Sequence, residues 1–211
     1  MEKQQTLLAD GLKNMQLSIS EEKQQQLIEY VNLLNKWNAV YNLTALRQDE
    51  QIISRHILDS LSVLPFLTNI KTIIDIGSGG GMPGIPIAIA IPEVEITLLD
   101  SNSKKTSFLQ QAIIELKLNN VTVKNERAEA FYEQKFDAVI SRAFAELSSF
   151  TQLTCHMLNE NSVWIAMKGV YPYEEIAHLP EYVNVNRVQP VSVYNLDAQR
   201  HIIIMSLKGN K

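Results

Sequence analysis

Cysteine is almost absent from this chain: among 211 residues only Cys155 carries a thiol. No intramolecular disulfide can form, so the fold must stand on its core, and a reducing, cytoplasmic setting is expected. Long apolar runs are missing too. The longest, residues 82–92, is too short to span a bilayer and contains Pro83, Pro86 and Pro92, so no membrane role is expected. Positive charge is in deficit, with 19 Lys and Arg against 23 Asp and Glu. A protein that coats nucleic acid non-specifically needs the opposite balance, and any RNA partner must meet basic residues gathered on one face. With only 8 Gly and 7 Pro, the chain is not of a collagenous or low-complexity type. Residues 1–5 have no basic region leading into an apolar run and do not read as a secretory signal.

What is present reads as a globular domain, 45% hydrophobic and 20% charged. Ser18-Ile19-Ser20-Glu21 fits a capping box with Ser18 as N-cap, opening a helix predicted over residues 19–38. Ile53, Ile57 and Leu61 recur every four residues and predict a second helix over 49–63, stopped near Pro65. Residues 1–68 thus read as a helical extension packed on a main domain of residues 69–211. From Lys71 onward short apolar runs alternate with helical patterns. Strands are predicted at 72–76, 95–99, 121–124, 136–140, 162–167 and 200–207, and helices at 84–91, 103–118 and 145–158. Such alternation implies an α/β fold with a mostly parallel sheet covered on both faces. The stretches 183–193 and 200–207 have no helix between them and predict an antiparallel edge hairpin.

Five of the eight glycines fall in Gly77-Ser78-Gly79-Gly80-Gly81-Met82-Pro83-Gly84, directly after the strand Thr72 to Ile76. Between a strand and a helix, glycines let the backbone turn sharply and approach a ligand, and the helix start presents free amide groups. A nucleotide-type ligand is implied. Gly79-x-Gly81-x-x-Gly84 also satisfies the dinucleotide fingerprint of a hydride-transfer enzyme. Asp75 weighs against that ligand, because a carboxylate beside the loop repels a pyrophosphate but attracts the ammonium and sulfonium of S-adenosylmethionine. Its blander role is a cap for the loop backbone. Asp100 ends the next strand, where doubly wound folds hold ribose hydroxyls, and could equally N-cap the helix that follows. Ala128 and Glu129 follow the third strand at an edge where an adenine could lie, although an exposed Glu is commonly a solvated group.

Some chemistries lack their residues. Methylation of a pyrimidine carbon needs an activated thiolate, and Cys155 in Leu153-Thr154-Cys155-His156-Met157 reads as a core residue. Methylation of an exocyclic amine relies on an Asn/Asp-Pro-Pro-aromatic turn after the fourth strand, and Ser141-Arg142-Ala143-Phe144 stands there instead. A purine ring nitrogen carries an in-plane lone pair and needs no general base, so positioning suffices. Arg142 is a candidate to bond purine or cofactor and Phe144 to stack, or to be core. Lys168, after the strand ending at Met167, and Arg200 are candidates to meet substrate phosphate, or else solvated strand ends. His56 and Asp59 share a helix face, but no second pair stands at metal spacing, so a structural hydrogen bond joining extension to main domain is expected and no metal. At this level three classes stand side by side: a methyltransferase, a nicotinamide oxidoreductase, and a non-catalytic RNA-binding factor that keeps a cofactor fold.

Taken together, six fragments carry a resemblance: Trp37-Asn38-x-x-Tyr41-Asn42-Leu43-Thr44, Arg55-His56-x-Leu58-Asp59-Ser60, the string Asp75 to Pro86, Leu98-Leu99-Asp100-Ser101, Ser141-Arg142-Ala143-Phe144 and Met167-Lys168-Gly169. The chain resembles the glucose-inhibited division protein B family, the small-subunit methyltransferase G group of bacterial 16S rRNA guanine-N7 methyltransferases. Gly80 and Met82 depart mildly from the family's string without removing a functional group. The resemblance implies a class I S-adenosylmethionine-dependent methyltransferase fold with seven strands. It implies a methyl donor lying over Gly77, Gly79, Gly81 and Met82, with ribose near Asp100, adenine near Ala128 and Glu129, and Arg142 near the reactive end. It also implies 16S rRNA as partner, within the small ribosomal subunit or its assembly intermediate; on the reading of the strand ends above, Arg142, Lys168 and Arg200 are expected to position the substrate without a general base. Residues 37–44 and 55–60 would then cover the cofactor or meet RNA, although Trp37 and Tyr41 could be core. A monomer is expected.

Overall fold

The computed structural model describes residues 2–41, 43–46, 48–142 and 144–209. Asn42 and Ala143, members of two of the motifs above, lie outside the described residues. The chain opens with α1 (Glu2–Asn14), part of the helical extension, whose buried stripe is short and includes Gln4 and Gly11 beside Leu8 and Leu12. Gly11 allows close packing: a Cβ there would lie 2.3 Å from Leu58 Cδ1. The second helix, α2 (Glu21–Tyr41), starts later than expected. Ser20 is its N-cap, not Ser18, since the Lys23 amide donates to Ser20 Oγ at 3.4 Å and the Gln24 amide to the Ser20 carbonyl at 2.9 Å. Glu21 and Glu22 then occupy the first turn, where the helix dipole favours negative charge. The helix predicted over 49–63 is broken into α3 (Asp49–Ile52), a π-helical segment (Ile53–Leu58) and α4 (Asp59–Leu61).

Seven strands follow: β1 (Thr72–Ile76), β2 (Glu95–Leu99), β3 (Val121–Lys124), β4 (Phe136–Arg142), β5 (Leu158–Lys168), β6 (Val183–Pro190) and β7 (His201–Leu207). They form one sheet in the order β3-β2-β1-β4-β5-β7-β6, parallel from β3 to β5, with β7 antiparallel to both β5 and β6. The edge hairpin is therefore present, and β7 inserts between β5 and β6. Because β7 runs backwards, its first residues arrive at the edge where the parallel strands end: Lys168 pairs with His201 and Arg142 with Met167.

Strand alternation sorts the core into two layers. Ile73, Leu98, Ala138, Ile140, Ile165, Met167 and Ile202 face one way, against α5 (Gly84–Ala90), α6 (Ser103–Glu115) and the helices of residues 2–61. Ile74, Ile76, Leu99, Val139, Trp164, Ala166 and Ile203 face the other, with Phe150 of α7 (Leu147–Thr154). A short helix not anticipated from the sequence, α8 (Tyr173–Ala177), lies after β5. Cys155 is half-buried in a 3-10 turn beside the second layer. On the first face Leu8, Leu27, Leu34 and Leu58 belong to the same continuous core as Ile85 and Phe108, so packing runs unbroken across the sequence boundary at 68–69.

One polar link ties that packing to the glycine loop. Tyr30 of α2 is fully buried and its hydroxyl donates to the Gly80 carbonyl, while burial raises its pKa further above the usual range. Tyr30→Phe removes the donor and leaves a buried carbonyl without its partner. Stability should fall by about 1–3 kcal/mol, read as a lower urea midpoint at unchanged slope.

Candidate active site

The glycine loop rises from the end of β1, and its geometry follows from where side chains cannot fit. Gly77 has φ +68°, and a Cβ there would come within 2.9 Å of the Phe144 ring. At Gly84, the first residue of α5, a Cβ would stand 2.2 Å from Leu98 Cδ2 and 3.0 Å from Asp75 Oδ2, so the helix reaches the sheet only because this residue has no side chain.

Asp100, nearly buried at the tip of β2, anchors the same loop. Its Oδ2 accepts from the Gly79 amide at 2.9 Å and its Oδ1 from the Asn102 amide at 2.8 Å, and Lys105 Nζ lies 3.7 Å away. The cap of α6 is Asn102, whose side chain accepts from the amides of Lys104 and Lys105, so the capping role considered for Asp100 belongs two residues on. A cleft of about 380 Å³ opens beside this anchor, with Gly77, Asp100, Ala128 and Glu129 in its lining and Ile76, Leu99, Phe144 and Leu153 supplying apolar surface. Gly79, Gly81 and Met82 lie in the loop but outside that lining. Ser101, Lys105, Glu126 and Arg127 also border the cleft, and no motif in the sequence had singled out the latter three.

Asp75 is placed differently from the charge argument. Alternation along β1 turns it to the face covered by α5, opposite Ile74 and Ile76, and leaves it wholly buried. There Oδ2 accepts from the Gly84 amide at 3.0 Å while Oδ1 has no protein partner. Burial pushes its pKa up to about 7, against the opposing pull of the Gly84 hydrogen bond and the Arg142 guanidinium. Its role in this geometry is the backbone cap, not an open carboxylate on the cleft wall.

The sequence signal least exploited was Asp59. This buried carboxylate takes Arg142 on one oxygen and Arg200 on the other: Nη1 of Arg142 lies 3.1 Å from Oδ2 and Nε of Arg200 2.9 Å from Oδ1. Arg142 also donates to the Arg55 carbonyl at 3.1 Å, meets His56 Nδ1 at 3.2 Å and reaches Met82 Sδ of the loop at 3.5 Å. Burial first, and then the Arg142 charge, lowers the His56 pKa to about 4, so the ring is neutral. Its Nε2 contacts Thr44 Oγ1 at 2.7 Å. The expected structural link of extension to main domain thus exists, but it passes through Asp59 and His56 to the two arginines. Two guanidinium groups on one carboxylate leave a surplus of one positive charge beside the loop.

Lys168 is not part of this cluster. In β5 it shares the face of Trp164 and Ala166, opposite Met167, which pairs with Arg142. Its ammonium instead donates to Glu175 Oε2 at 2.7 Å and the Ala145 carbonyl at 2.9 Å, and Glu175 also accepts from the Leu147 amide at 2.8 Å. Lys168 therefore ties α8 to the start of α7, a correction to the grouping of three basic residues. Trp37 and Tyr41 stack with ring centroids 5.3 Å apart, and Trp37 packs 5.8 Å from Phe108 against the core. Leu43 comes close to Gly80 in the loop. Among the described residues no group of three His, Cys, Asp or Glu could hold a metal ion, and no helix is long and apolar enough to cross a membrane.

A parallel sheet with a glycine loop after β1, acidic residues at the tip of β2 and after β3, and a nucleoside-sized cleft between them is the architecture of class I S-adenosylmethionine-dependent methyltransferases. Solved structures share this fold: the ribosomal protein L11 methylase from Lactobacillus delbrueckii subsp. bulgaricus matches with a TM-score of 0.55 at 15% identity, over 72% of this chain and 77% of that one. M. jannaschii TYW2, solved in complex with AdoMet, also matches at 0.55, with 16% identity over 72% and 76% of the two chains. In sequence, the family model for rRNA small subunit methyltransferase G (GidB) matches residues 23–203. The Ribosomal RNA small subunit methyltransferase G of Neisseria meningitidis serogroup B is 54% identical over 98% of this chain and 99% of its own length. The chain belongs to the rRNA small subunit methyltransferase G family.

Because the folded state holds the Asp75 proton more tightly than the unfolded chain does, stability should decline as pH rises from about 4 through about 7. Asp75→Asn keeps an oxygen for the Gly84 amide and removes that titration. Urea unfolding of both proteins across this window should show the wild type losing ground to the variant as pH increases. Parallel profiles would mean that the carboxyl does not titrate in this range.

Proposed function

We propose that the protein transfers the methyl group of S-adenosylmethionine to N7 of a guanine in 16S rRNA, within the small ribosomal subunit or its assembly intermediate. The observation that carries this reading is the Asp59 cluster, two arginines fixed beside the glycine loop with one unbalanced positive charge. The cleft beside Gly77 fits the nucleoside part of the donor: Asp100 presents a nearly buried carboxylate of the type that holds ribose hydroxyls, and Ile76, Leu99, Phe144 and Ala128 give an adenine apolar surface. Bound there, S-adenosylmethionine supplies an electrophilic methyl on a sulfonium.

The remaining work falls to the chain's own residues. Guanine N7 has no proton to lose, so nothing in the site must act as a base; the neutral His56 ring fixes Arg142 instead. Arg142 and Arg200, already oriented by Asp59, can donate to the purine O6 or to a flanking phosphate with little further loss of side-chain freedom. Their surplus charge opposes the positive charge of donor and methylated base less than two free arginines would. An acidic chain that concentrates its cationic groups this way suits a folded substrate that presents one base, more than a long stretch of RNA.

Mass mapping of nucleosides in 16S rRNA from cells with and without the protein should show one 7-methylguanosine lost with it, and an unchanged content would refute the reading. With saturating donor, the single-turnover rate on small subunits should be level from about pH 6 to 9, whereas a log-linear rise would assign the methyl to a hydroxyl or amine. Arg142→Ala should slow that step by about 100-fold, the usual cost of losing one preorganised donor.

A further inference from the structure

On the far side of Arg200 lies a second cleft, about 930 Å³, bounded by the segment after β5 and the turn between β6 and β7. Its floor carries two aromatic rings. Tyr171 and Tyr173 face each other with centroids 4.1 Å apart and planes inclined by 33°, and the edge of His201 meets Tyr171 at 5.5 Å. His201 is itself held, its Nδ1 on the Gly169 carbonyl at 2.8 Å. The stack therefore rests on the sheet edge while its outer member is open: Tyr173 is 73% exposed, as is the neighbouring Val170. Neither tyrosine has a role in the Asp59 cluster or the donor cleft.

We propose that this pair is a stacking platform for an unpaired RNA base close to the guanine that receives the methyl group, an inference that rests on the function proposed above. Three observations select a base over other occupants. A pair of inclined rings whose outer member is exposed offers aromatic surface that any nucleobase can use, whatever its sequence. Arg200 is shared by this cleft and the Asp59 cluster, so a base on the platform and a guanine at the loop are served by one guanidinium. Asp197 also lines the cleft, and its carboxylate disfavours a phosphate while it can accept from a base amino or imino group. The backbone phosphate then falls to the side of the arginines, and the base to the tyrosines. Splaying one base onto Tyr173 would hold the strand open beside the target.

The test needs no catalysis. Small subunits, or 16S RNA carrying 5-iodouridine, are bound to the wild-type protein and irradiated, and the cross-linked peptide is mapped; it should contain Tyr171 or Tyr173. In parallel, Tyr173→Ala should weaken RNA binding by about 5- to 100-fold, the range for loss of one base stack, with unchanged affinity for S-adenosylmethionine and an unchanged melting temperature. Tyr173→Phe should bind as the wild type does, since the ring and not the hydroxyl carries the contact. Wild-type RNA affinity in Tyr173→Ala, equal losses in the Ala and Phe variants, or RNA cross-links confined to peptides without Tyr171 and Tyr173 would each overturn the platform. Failure of the parent reading shows separately, as RNA that is bound and cross-linked but never methylated.

Discussion

The structure turns on one carboxylate that answers two arginines. Asp59 stands at the start of a short helix in the N-terminal region, Arg142 at the end of a central strand and Arg200 just before a strand near the other end of the chain. Without Asp59 each arginine, half-sunk at a sheet edge, would keep backbone acceptors but no counter-charge to offset its desolvation. Sharing Asp59 relieves both and fixes their forks in one place. The helical extension is thereby part of the site and not an accessory to it. Tyr30 repeats the pattern at the loop, where a buried hydroxyl from the same region holds Gly80.

The π-helical segment gives this arrangement a local cause. Residues 53–58 wind more loosely than an α-helix, and both Arg55 through its carbonyl and His56 through its ring meet Arg142, with Asp59 following directly. Such segments are uncommon and cluster at functional positions because they re-aim neighbouring side chains without ending the helix. Here the looser winding coincides with two contacts to a single guanidinium, from Arg55 and His56, and leads into a third at Asp59.

Much of this was legible in advance, for identifiable reasons. Short apolar runs alternating with helical patterns mark every strand to within a few residues, and the missing helix between the last two runs marks the hairpin. The glycine string located the loop, and Asp100 fell where the fold demands an acid. For Asp75 charge alone does not fix the facing: its neighbours Ile74 and Ile76 point to the other layer, so the carboxylate points into the first. Lys168 was misplaced for a related reason. Which basic residue at a strand end joins which face depends on the register of β4 against β5, and register is set by packing that no single segment records. Asp59 and His56 stand out as a pair in the sequence, but the arginines that Asp59 holds lie 83 and 141 residues further along the chain.

Those separations matter for how the molecule comes together. The anchor of Gly79 on Asp100 joins neighbouring strands, whereas the arginine pair requires closure across most of the sequence. Loop-closure entropy makes such contacts late on average. A partly assembled molecule would thus hold the Gly79–Asp100 anchor before Asp59 meets Arg200.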